Sequence, residues 1–334
     1  MKIDKGLSKD ILRTEQDAKE IEESGYDGLW VGETKHDPFM QCLLAARATS
    51  RVNVVTSVAI AFARTPMLLA NLGFDLALYS QGRFILGLGS QVKPHIERRF
   101  SMPWSRPAAR MRELLLATRA IWDAWQNDSK LIFQGDFYTH TLMSPFFSPA
   151  PHAYGPPPIY LAGVNELMTE VAGETCDGFF VHAFSTRRYL DEVTLPALRR
   201  GREKAGLTLD GFNIAGTAFC AVGRDEKELA TACKGVKDQI AFYASTPAYR
   251  RVLELHGWED LQPELTRMTK EGRWPEIGDL ITDDILRAFS VVGSPEEVGK
   301  ALRDKFGDVL TRITCYAPHE PDLAIWPAVL DALH

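Results

Sequence analysis

The sequence predicts a (β/α)8 barrel, a ring of eight parallel strands surrounded by helices, on three observations. Short apolar stretches rich in β-branched residues alternate with stretches of helical spacing along the 334 residues. The apolar stretches lack polar alternation, which is typical of strands buried on both faces in parallel sheets. Tyr26–Val31 and Cys176–Val181 both enter a strand through Asp-Gly after a helix, a repeated turn expected of a quasi-repetitive barrel.

The alternative fold is a doubly wound open sheet, which also alternates strands and helices. Its dinucleotide-binding form carries G-x-G-x-x-G after the first strand, and no such motif follows the first strand here. Eight units of strand and crossover helix suit a closed barrel. We therefore predict a single barrel domain over residues 1–334.

The elements follow in order along the chain. The predicted strands are Met1–Gly6, Asp27–Val31, Val52–Ile60, Arg83–Gly89, Ile159–Ala162, Gly178–Val181, Phe212–Val222 and Thr311–Tyr316. The predicted helices are Ile11–Ser24, Phe39–Thr49, Pro66–Tyr79, Met111–Trp125, Leu167–Gly173, Arg187–Ala205, Asp225–Ala244, Ser294–Lys305 and Ala324–Leu333. Proline in the first turn at Pro66 and Ser294 before Pro-Glu-Glu mark two of the helix starts.

Three segments exceed this minimal pattern. Gln91–Arg110 follows strand 4, Asn127–Pro158 precedes strand 5, and Thr246–Asp284 follows strand 7. Asn127–Pro158 is rich in proline and aromatic residues, whereas interdomain linkers avoid aromatic residues. We therefore expect an ordered excursion that covers the carboxyl-terminal face of the barrel as a hydrophobic lid.

Composition narrows the functional class. The net charge of -6 gives no basic face for nucleic acid, and the apolar stretch Val52–Ala63 is too short to span a membrane. The first 30 residues carry no signal-peptide pattern. The cysteines are odd in number and include no C-x-x-C pair, which argues against a zinc ribbon and fits a reducing cytosol; they are Cys42, Cys176, Cys220, Cys233 and Cys315. We predict a cytoplasmic protein without a metal site.

The active site of such a barrel is built from the carboxyl ends of the strands. The second strand runs into Glu33, His36 and Asp37. Histidine suits proton transfer near neutral pH, and a carboxylate can orient it. We take His36 as the candidate proton-transfer residue and Glu33 as the residue that orients or polarises; alternatively, Asp37 caps the next helix and His36 is a solvated loop residue.

Other strand ends offer contacts for a ligand. After the fourth strand, glycines allow close approach of a ligand and Ser90 and Gln91 offer hydrogen bonds, although barrel packing also explains the glycines. After the fifth strand, Ala162, Gly163 and Val164 precede a helix whose exposed amides suit a phosphate. His182 ends the sixth strand, as a ligand contact or as a packed core residue.

The chain resembles the luciferase-like superfamily, and specifically its F420-dependent branch. The motifs appear in the family's order over nearly the whole chain: GYDGLWVGE (25–33), VTSVAIAFARTPMLLA (55–70), GRFILGLGS (82–90), IYLAGV (159–164), CDGFFV (176–181) and VVGSPEEVGKAL (291–302). The resemblance implies a flavin or deazaflavin in the barrel mouth. It further implies a cis peptide at Ser57–Val58 behind the ring, ring contacts from Ser90 and Gln91, and phosphate binding by Gly163 and Val164.

The sequence departs from the family at the hydride-transfer residues. Dehydrogenase relatives often carry Asp-His directly after the second strand and a glutamate after the fourth-strand glycines. This chain has Glu33-Thr34, with His36 two positions on, and Val92 where that glutamate would fall.

Residues 93–112 favour coenzyme F420 over FMN as the cofactor. They hold six Lys or Arg residues against one acid, Glu97. F420 ends in a phosphate and an acidic glutamyl tail, whereas FMN has one phosphate and needs fewer cations. A solvated basic surface is the alternative interpretation.

Three functions are open. The first is an F420-dependent oxidoreductase that moves a hydride between the deazaflavin and an alcohol, carbonyl or activated alkene. The second is a monooxygenase that uses reduced FMN and oxygen, and the third is a non-catalytic flavin-binding protein. Relatives commonly pair through their early helices, and apolar residues on Phe39–Ala48 and Met67–Leu78 predict a homodimer.

Overall fold

The computed structural model describes residues 1–333. The strands are β1 Lys2–Gly6, β2 Gly28–Val31, β3 Asn53–Thr56, β4 Ala59–Ile60, β5 Phe84–Gly89, β6 Phe133–Gln134, β7 Thr139–His140, β8 Ile159–Ala162, β9 Gly178–Val181, β10 Asn213–Val222, β11 Ser290–Gly293 and β12 Arg312–Tyr316. The helices are α1 Thr14–Glu23, α2 Pro38–Ala48, α3 Pro66–Tyr79, α4 Lys93–Arg98, α5 Pro107–Gln126, α6 Glu166–Thr175, α7 Arg187–Tyr189, α8 Leu195–Lys204, α9 Glu226–Ala244, α10 Arg250–Glu254, α11 Leu261–Lys270, α12 Asp283–Phe289, α13 Pro295–Phe306 and α14 Trp326–Leu333.

The fold is the predicted (β/α)8 barrel, and its residues form two compact units. The N-terminal unit comprises Lys2–Phe180 and Ala197–Asn213. Its strands run parallel in the order β1-β2-β3-β5-β8-β9, with β4 beside β5 and with β6 and β7 forming a separate antiparallel hairpin. The C-terminal unit comprises Val181–Pro196 and the chain from Ile214 onward, where β10 lies between β11 and β12. That the chain is a single domain stays a prediction.

Local sequence explains where several helices begin. Thr65 caps α3 by accepting the Leu68 N–H, and Pro66 occupies its first turn, as the sequence predicted. Ser294 heads α13 with a complete capping box, in which its side chain and that of Glu297 each accept the other residue's backbone N–H. These caps satisfy amides that have no partner within the helix.

Two predicted elements differ in the structure. The stretch Val52–Ile60 is not one strand, because β3 and β4 are separated at the peptide between Ser57 and Val58. The helix predicted over Asp225–Ala244 is α9, but it is not simply an outer helix of the barrel. Its residues lie against residues at or beyond strand ends: Gln239 accepts a hydrogen bond from the Tyr316 hydroxyl at the end of β12, and Tyr243 packs on His182. The insertion after strand 7 therefore begins with α9, and β11, which the sequence did not predict, follows it.

The excursion Asn127–Pro158 packs along α5, which differs from the predicted lid. At one end of α5, the Glu113 carboxylate accepts backbone N–H groups of the β6–β7 hairpin. At the other end, Gln126 donates to the His152 carbonyl. Tyr154 lies beside Gly82, before the amino end of β5. The contacts of the excursion therefore follow α5, whereas its side chains Phe146 and Phe147 are exposed.

Candidate active site

The loop after β2 is held by one buried guanidinium. The Glu33 carboxylate accepts from Arg64 Nη1 at 2.7 Å and from the Ile60 N–H at 2.7 Å. Arg64 Nη2 donates to Asp37 Oδ2 at 2.8 Å. The Glu33 and Arg64 side chains are 6% and 11% exposed. We call these three residues the Arg64 clamp; it ties the loop after β2 to the chain that follows β4.

The electrostatics of the clamp keep Arg64 charged. Burial by itself would lower the pKa of Arg64, but the hydrogen bonds and charges of Glu33 and Asp37 outweigh it, so that the pKa is raised. Asp37 has a second role as the cap of α2, where it accepts the Phe39 N–H at 2.9 Å. The clamp thus combines helix capping with a nearly dry ion pair.

His36 lies between the two acids of the clamp without using either. It is exposed and has no hydrogen-bond partner among residues 1–333. Glu33 and Asp37 were expected to hold its tautomer, whereas the structure gives both of them to Arg64. Arg64 lies within the motif at residues 55–70, and no role was predicted for it. A lone arginine soon after a strand, when two acids follow the preceding strand, is the signal that indicates this pairing.

The peptide between Ser57 and Val58 is cis, which confirms the expectation drawn from the resemblance. The Ser57 N–H donates to the Val31 carbonyl at 2.8 Å. A Cβ at Gly89 would lie 2.7 Å from Val58 Cγ2, and one at Gly87 would lie 1.7 Å from the Thr56 carbonyl oxygen. The fourth-strand glycines are therefore needed for packing against the bulge after β3.

Ser90 and Gln91 are open to a ligand only in part. Ser90 Oγ donates to the Gln91 carbonyl at 3.0 Å, and Gln91 Oε1 accepts the Val92 N–H at 2.9 Å. Gln91 has a φ of 59°, which places its backbone in the left-handed region, and its side chain is exposed. Both side chains form hydrogen bonds within their own turn.

Three of the six cations in residues 93–112 are paired or buried within the protein. Arg106 pairs with Asp136, Arg112 pairs with Glu174, and Arg110 is buried. The other three cations are freer. Lys93 lies 3.8 Å from Glu97, Arg99 donates to the Thr34 carbonyl at 3.0 Å, and Arg98 has no partner among residues 1–333. These three belong to α4 and its cap.

The fifth strand ends at the start of a ten-residue helix. Ala162 closes β8, Gly163 and Val164 follow, and Asn165 caps α6 by accepting the Met168 N–H at 3.0 Å. A Cβ at Gly163 would lie 3.0 Å from Met168 Cγ, so a side chain there would crowd the first turn. The amides at the start of this helix are of the kind that binds phosphate.

His182 directly follows β9 and belongs to the C-terminal unit. Its Nδ1 accepts the Phe184 N–H at 3.0 Å, and its Nε2 lies 3.1 Å from the Tyr249 hydroxyl. The Tyr249 ring stacks on it with centroids 4.7 Å apart, and Tyr243 meets its edge at 4.9 Å. Burial lowers the pKa of His182 to about 4, so the ring is neutral at physiological pH.

No cluster of three or more His, Cys, Asp or Glu residues that could hold a metal occurs in residues 1–333. The five cysteines are free thiols, three of them buried. None of the helices in the described part of the chain is long and apolar enough to cross a membrane.

The chain matches relatives along most of its length. It is 50% identical over 313 residues to an uncharacterized protein of Mycobacterium tuberculosis, covering 94% of this chain and 92% of that protein. It is 25% identical over 313 residues to the 5,10-methylenetetrahydromethanopterin reductase of Archaeoglobus fulgidus, covering 91% and 89%.

Solved structures share the fold. The coenzyme F420 dependent tetrahydromethanopterin reductase from Methanopyrus kandleri aligns with a TM-score of 0.78 at 19% identity, over 98% of this chain and 97% of that one. An F420-dependent secondary alcohol dehydrogenase, solved with an F420-acetone adduct, aligns with a TM-score of 0.73 at 18% identity, over 100% and 99%.

The family model for luciferase-like monooxygenases matches residues 4–312, which include the Arg64 clamp, the cis peptide and His182. The chain therefore belongs to the luciferase-like family and is an oxidoreductase enzyme of that kind.

Proposed function

We propose that this enzyme uses coenzyme F420 and moves a hydride between C5 of the deazaflavin and a small organic substrate, an alcohol, a carbonyl compound or an activated alkene. Two solved proteins of similar fold are named as F420-dependent, a tetrahydromethanopterin reductase and a secondary alcohol dehydrogenase, and their names support this proposal. The observation that carries it is the set of three cations on and beside α4, Lys93, Arg98 and Arg99, whose charges are not neutralised by close ion pairs.

The residues at three strand ends fit a planar ring with an anionic tail. The cis peptide between Ser57 and Val58 and the turn at Ser90 and Gln91 are the contacts that we propose for the ring. The start of α6, with Gly163 and Val164 before it, suits a phosphate. Bound F420 would supply hydride chemistry at C5, and the chain supplies placement and charge. Ser90, Gln91 and Ala162 are the further contacts that we propose for the ring and its tail.

We propose that a residue of the loop after β2 transfers the substrate proton that accompanies hydride transfer. His36 is exposed on the loop after β2, where an imidazole can transfer a proton to or from a substrate. Glu33 acts on it indirectly, because the Arg64 clamp holds the loop that carries His36. His182, being neutral and hydrogen-bonded at both nitrogens, is a contact residue rather than a base.

The cofactor is tested by adding F420, FMN and FAD separately to the purified protein and following fluorescence quenching. We expect saturable binding of F420 and weaker binding of FMN and FAD. Tight FMN binding without F420 binding would replace this proposal by the reduced-FMN monooxygenase, which needs oxygen.

The tail-binding role is tested by the double variant Arg98→Ala/Arg99→Ala. We expect F420 affinity to fall by about tenfold, and more at low ionic strength, because charge-assisted contacts to an anion are lost. Lys300→Ala, an exposed lysine on α13, is the matched control and should bind F420 like the wild type. Equal affinity in all three proteins would remove the α4 cations from the proposal.

We also propose a cytosolic homodimer that pairs through α2 and α3. These helices pack on each other and expose Met40, Leu43, Leu68, Leu78 and Tyr79. An apolar surface of this kind marks a protein interface. Light scattering at micromolar concentration should give a dimer, and Met40→Glu/Leu68→Glu should give a folded monomer. A wild-type monomer would refute the proposal.

A further inference from the structure

The segment after β9 builds a small aromatic site in the C-terminal unit. His182, Phe184 and Ser185 follow the strand, and Tyr243 and Tyr249 reach them from α9 and from the turn after it. Residues that directly follow strands of a (β/α)8 barrel lie on the face where such enzymes bind their substrates. Tyr249 is only half-buried, so a ligand can reach it.

The hydrogen bonds around His182 leave the hydroxyl proton of Tyr249 without an acceptor. Because His182 Nδ1 accepts the Phe184 N–H, the proton of the neutral ring sits on Nε2. That N–H donates to the Tyr249 oxygen. The Tyr249 O–H therefore points its own proton elsewhere, and it finds no acceptor among residues 1–333. Ser185 Oγ, which is enclosed, likewise has no hydrogen-bond partner in the described chain.

The surroundings of this pair carry no net charge. Burial alone lowers the pKa of His182 and raises the pKa of Tyr249, so both stay neutral without an ionised neighbour. The pKa of Tyr243 is raised to about 12, chiefly by burial. The nearest charged residue in sequence, Arg250, is paired with Glu254 at 2.9 Å. A site of this kind disfavours a carboxylate or phosphate, which would lose its hydration without gaining a cation.

We propose that this is the substrate subsite, in which the Tyr249 hydroxyl donates a hydrogen bond to the oxygen or nitrogen of a neutral, planar carbonyl or imine group. His182 is the positioning residue that holds the phenol, and the half-buried ring of Tyr243 lies beside the site. This inference rests on the proposed function for the reaction, but the binding it describes is a property of the chain's own residues.

The test measures the binding of three probes of similar shape to the wild-type protein, with and without F420. Binding is measured by saturation-transfer NMR titration. Acetophenone offers a neutral acceptor, benzoate offers a charged one, and ethylbenzene offers none. We expect acetophenone to bind about five- to tenfold more tightly than ethylbenzene, as one hydrogen bond provides, and benzoate to bind worst. Equal binding of acetophenone and ethylbenzene in both states would overturn the inference.

Tyr249→Phe keeps the ring and removes the donor. We expect it to lose the preference for acetophenone over ethylbenzene, while Tyr154→Phe, beside Gly82 before the amino end of β5, keeps that preference. An unchanged preference in Tyr249→Phe would exclude Tyr249 as the donor.

A double-mutant cycle separates positioning from a structural role. His182→Asn should weaken acetophenone binding about threefold in the wild type and have no effect in the Tyr249→Phe background. Additive losses would show that His182 does not act through Tyr249. Acetophenone binding through Tyr249 in a protein that fails to bind F420 would support this subsite and refute the proposed cofactor; F420 binding without acetophenone preference would do the reverse.

Discussion

The loop after β2 and the segment after β9 each place a histidine just beyond the end of a parallel strand, and the two histidines have opposite surroundings. His36 is exposed and unpartnered, between acids that belong to the buried Arg64. His182 is largely enclosed by aromatic rings and hydrogen-bonded at both nitrogens. The position of a histidine after a strand therefore does not by itself determine its function. An exposed imidazole can exchange protons with water and substrate. An imidazole that is hydrogen-bonded at both nitrogens instead orients its neighbours.

The largest effect that we expect from breaking this contrast is on turnover. His36→Ala should lower turnover by about 10²- to 10⁴-fold, the usual contribution of a general acid or base, while F420 affinity stays within a few-fold. Steady-state kinetics with F420 would measure the first quantity and fluorescence quenching the second. Lys35→Ala, the exposed neighbour in the same loop, is the control. Full turnover in His36→Ala would make His36 a loop residue and turn attention to Glu33 or His182.

A second effect concerns the clamp that carries His36. Arg64→Met should lower the free energy of unfolding by about 3 to 5 kcal/mol, because it leaves the buried Glu33 carboxylate without its cation. Urea denaturation at pH 7 would measure it. Arg188→Met breaks a surface pair with Glu192, whose N–O distance is 2.8 Å, and should change stability little.

The same experiment identifies the cause. Adding Glu33→Gln to Arg64→Met should restore part of the stability, since the uncompensated charge is then removed. If Arg64→Met is no less stable than Arg188→Met, the clamp is not a buried ion pair in solution.

A smaller effect follows from the neutral state of His182. Its pKa is lowered from 6.5 to about 4 in the folded protein, so the unfolded chain binds a proton over a pH range where the folded chain does not. Stability is therefore lost as pH falls from about 6.5 toward 4. From these pKa values, His182 costs about 2 kcal/mol between pH 7 and pH 5. His182→Asn should reduce, by that amount, the change in the free energy of unfolding between pH 7 and pH 5, measured by urea denaturation. An unchanged pH dependence would show that the pKa of His182 is not lowered in the folded protein.

Much of the fold was predictable because it depends on neighbours in sequence. The end points of α3 follow from Thr65, Pro66 and an apolar run, and the capping box of α13 follows from Ser294 and Glu297. The motif after β3 predicted the cis peptide through the family resemblance. The short β11 was not predicted, because two valines between a serine and a glycine, directly after a helix, give no pattern of their own.

Side-chain pairing in the candidate site was less predictable. Glu33 and His36 are three residues apart and were expected to cooperate, yet Glu33 binds Arg64, 31 positions away. The guanidinium of Arg64 has several N–H donors, and it binds Glu33 through one terminal nitrogen and Asp37 through the other. Nor did the sequence place Tyr249 beside His182, which lies 67 positions earlier.

The alternation of strands and helices, the family and the strand ends proposed for the site are all specified by local sequence. Those features depend on hydrophobic periodicity, caps and short motifs, which act within a few residues. In contrast, contacts between distant residues pair both acids of the loop after β2 with Arg64, hold the excursion along α5, and pack Tyr243 of α9 against His182. These outcomes depend on distances between atoms far apart in the chain, where packing and charge select one partner among several of equal chemical type.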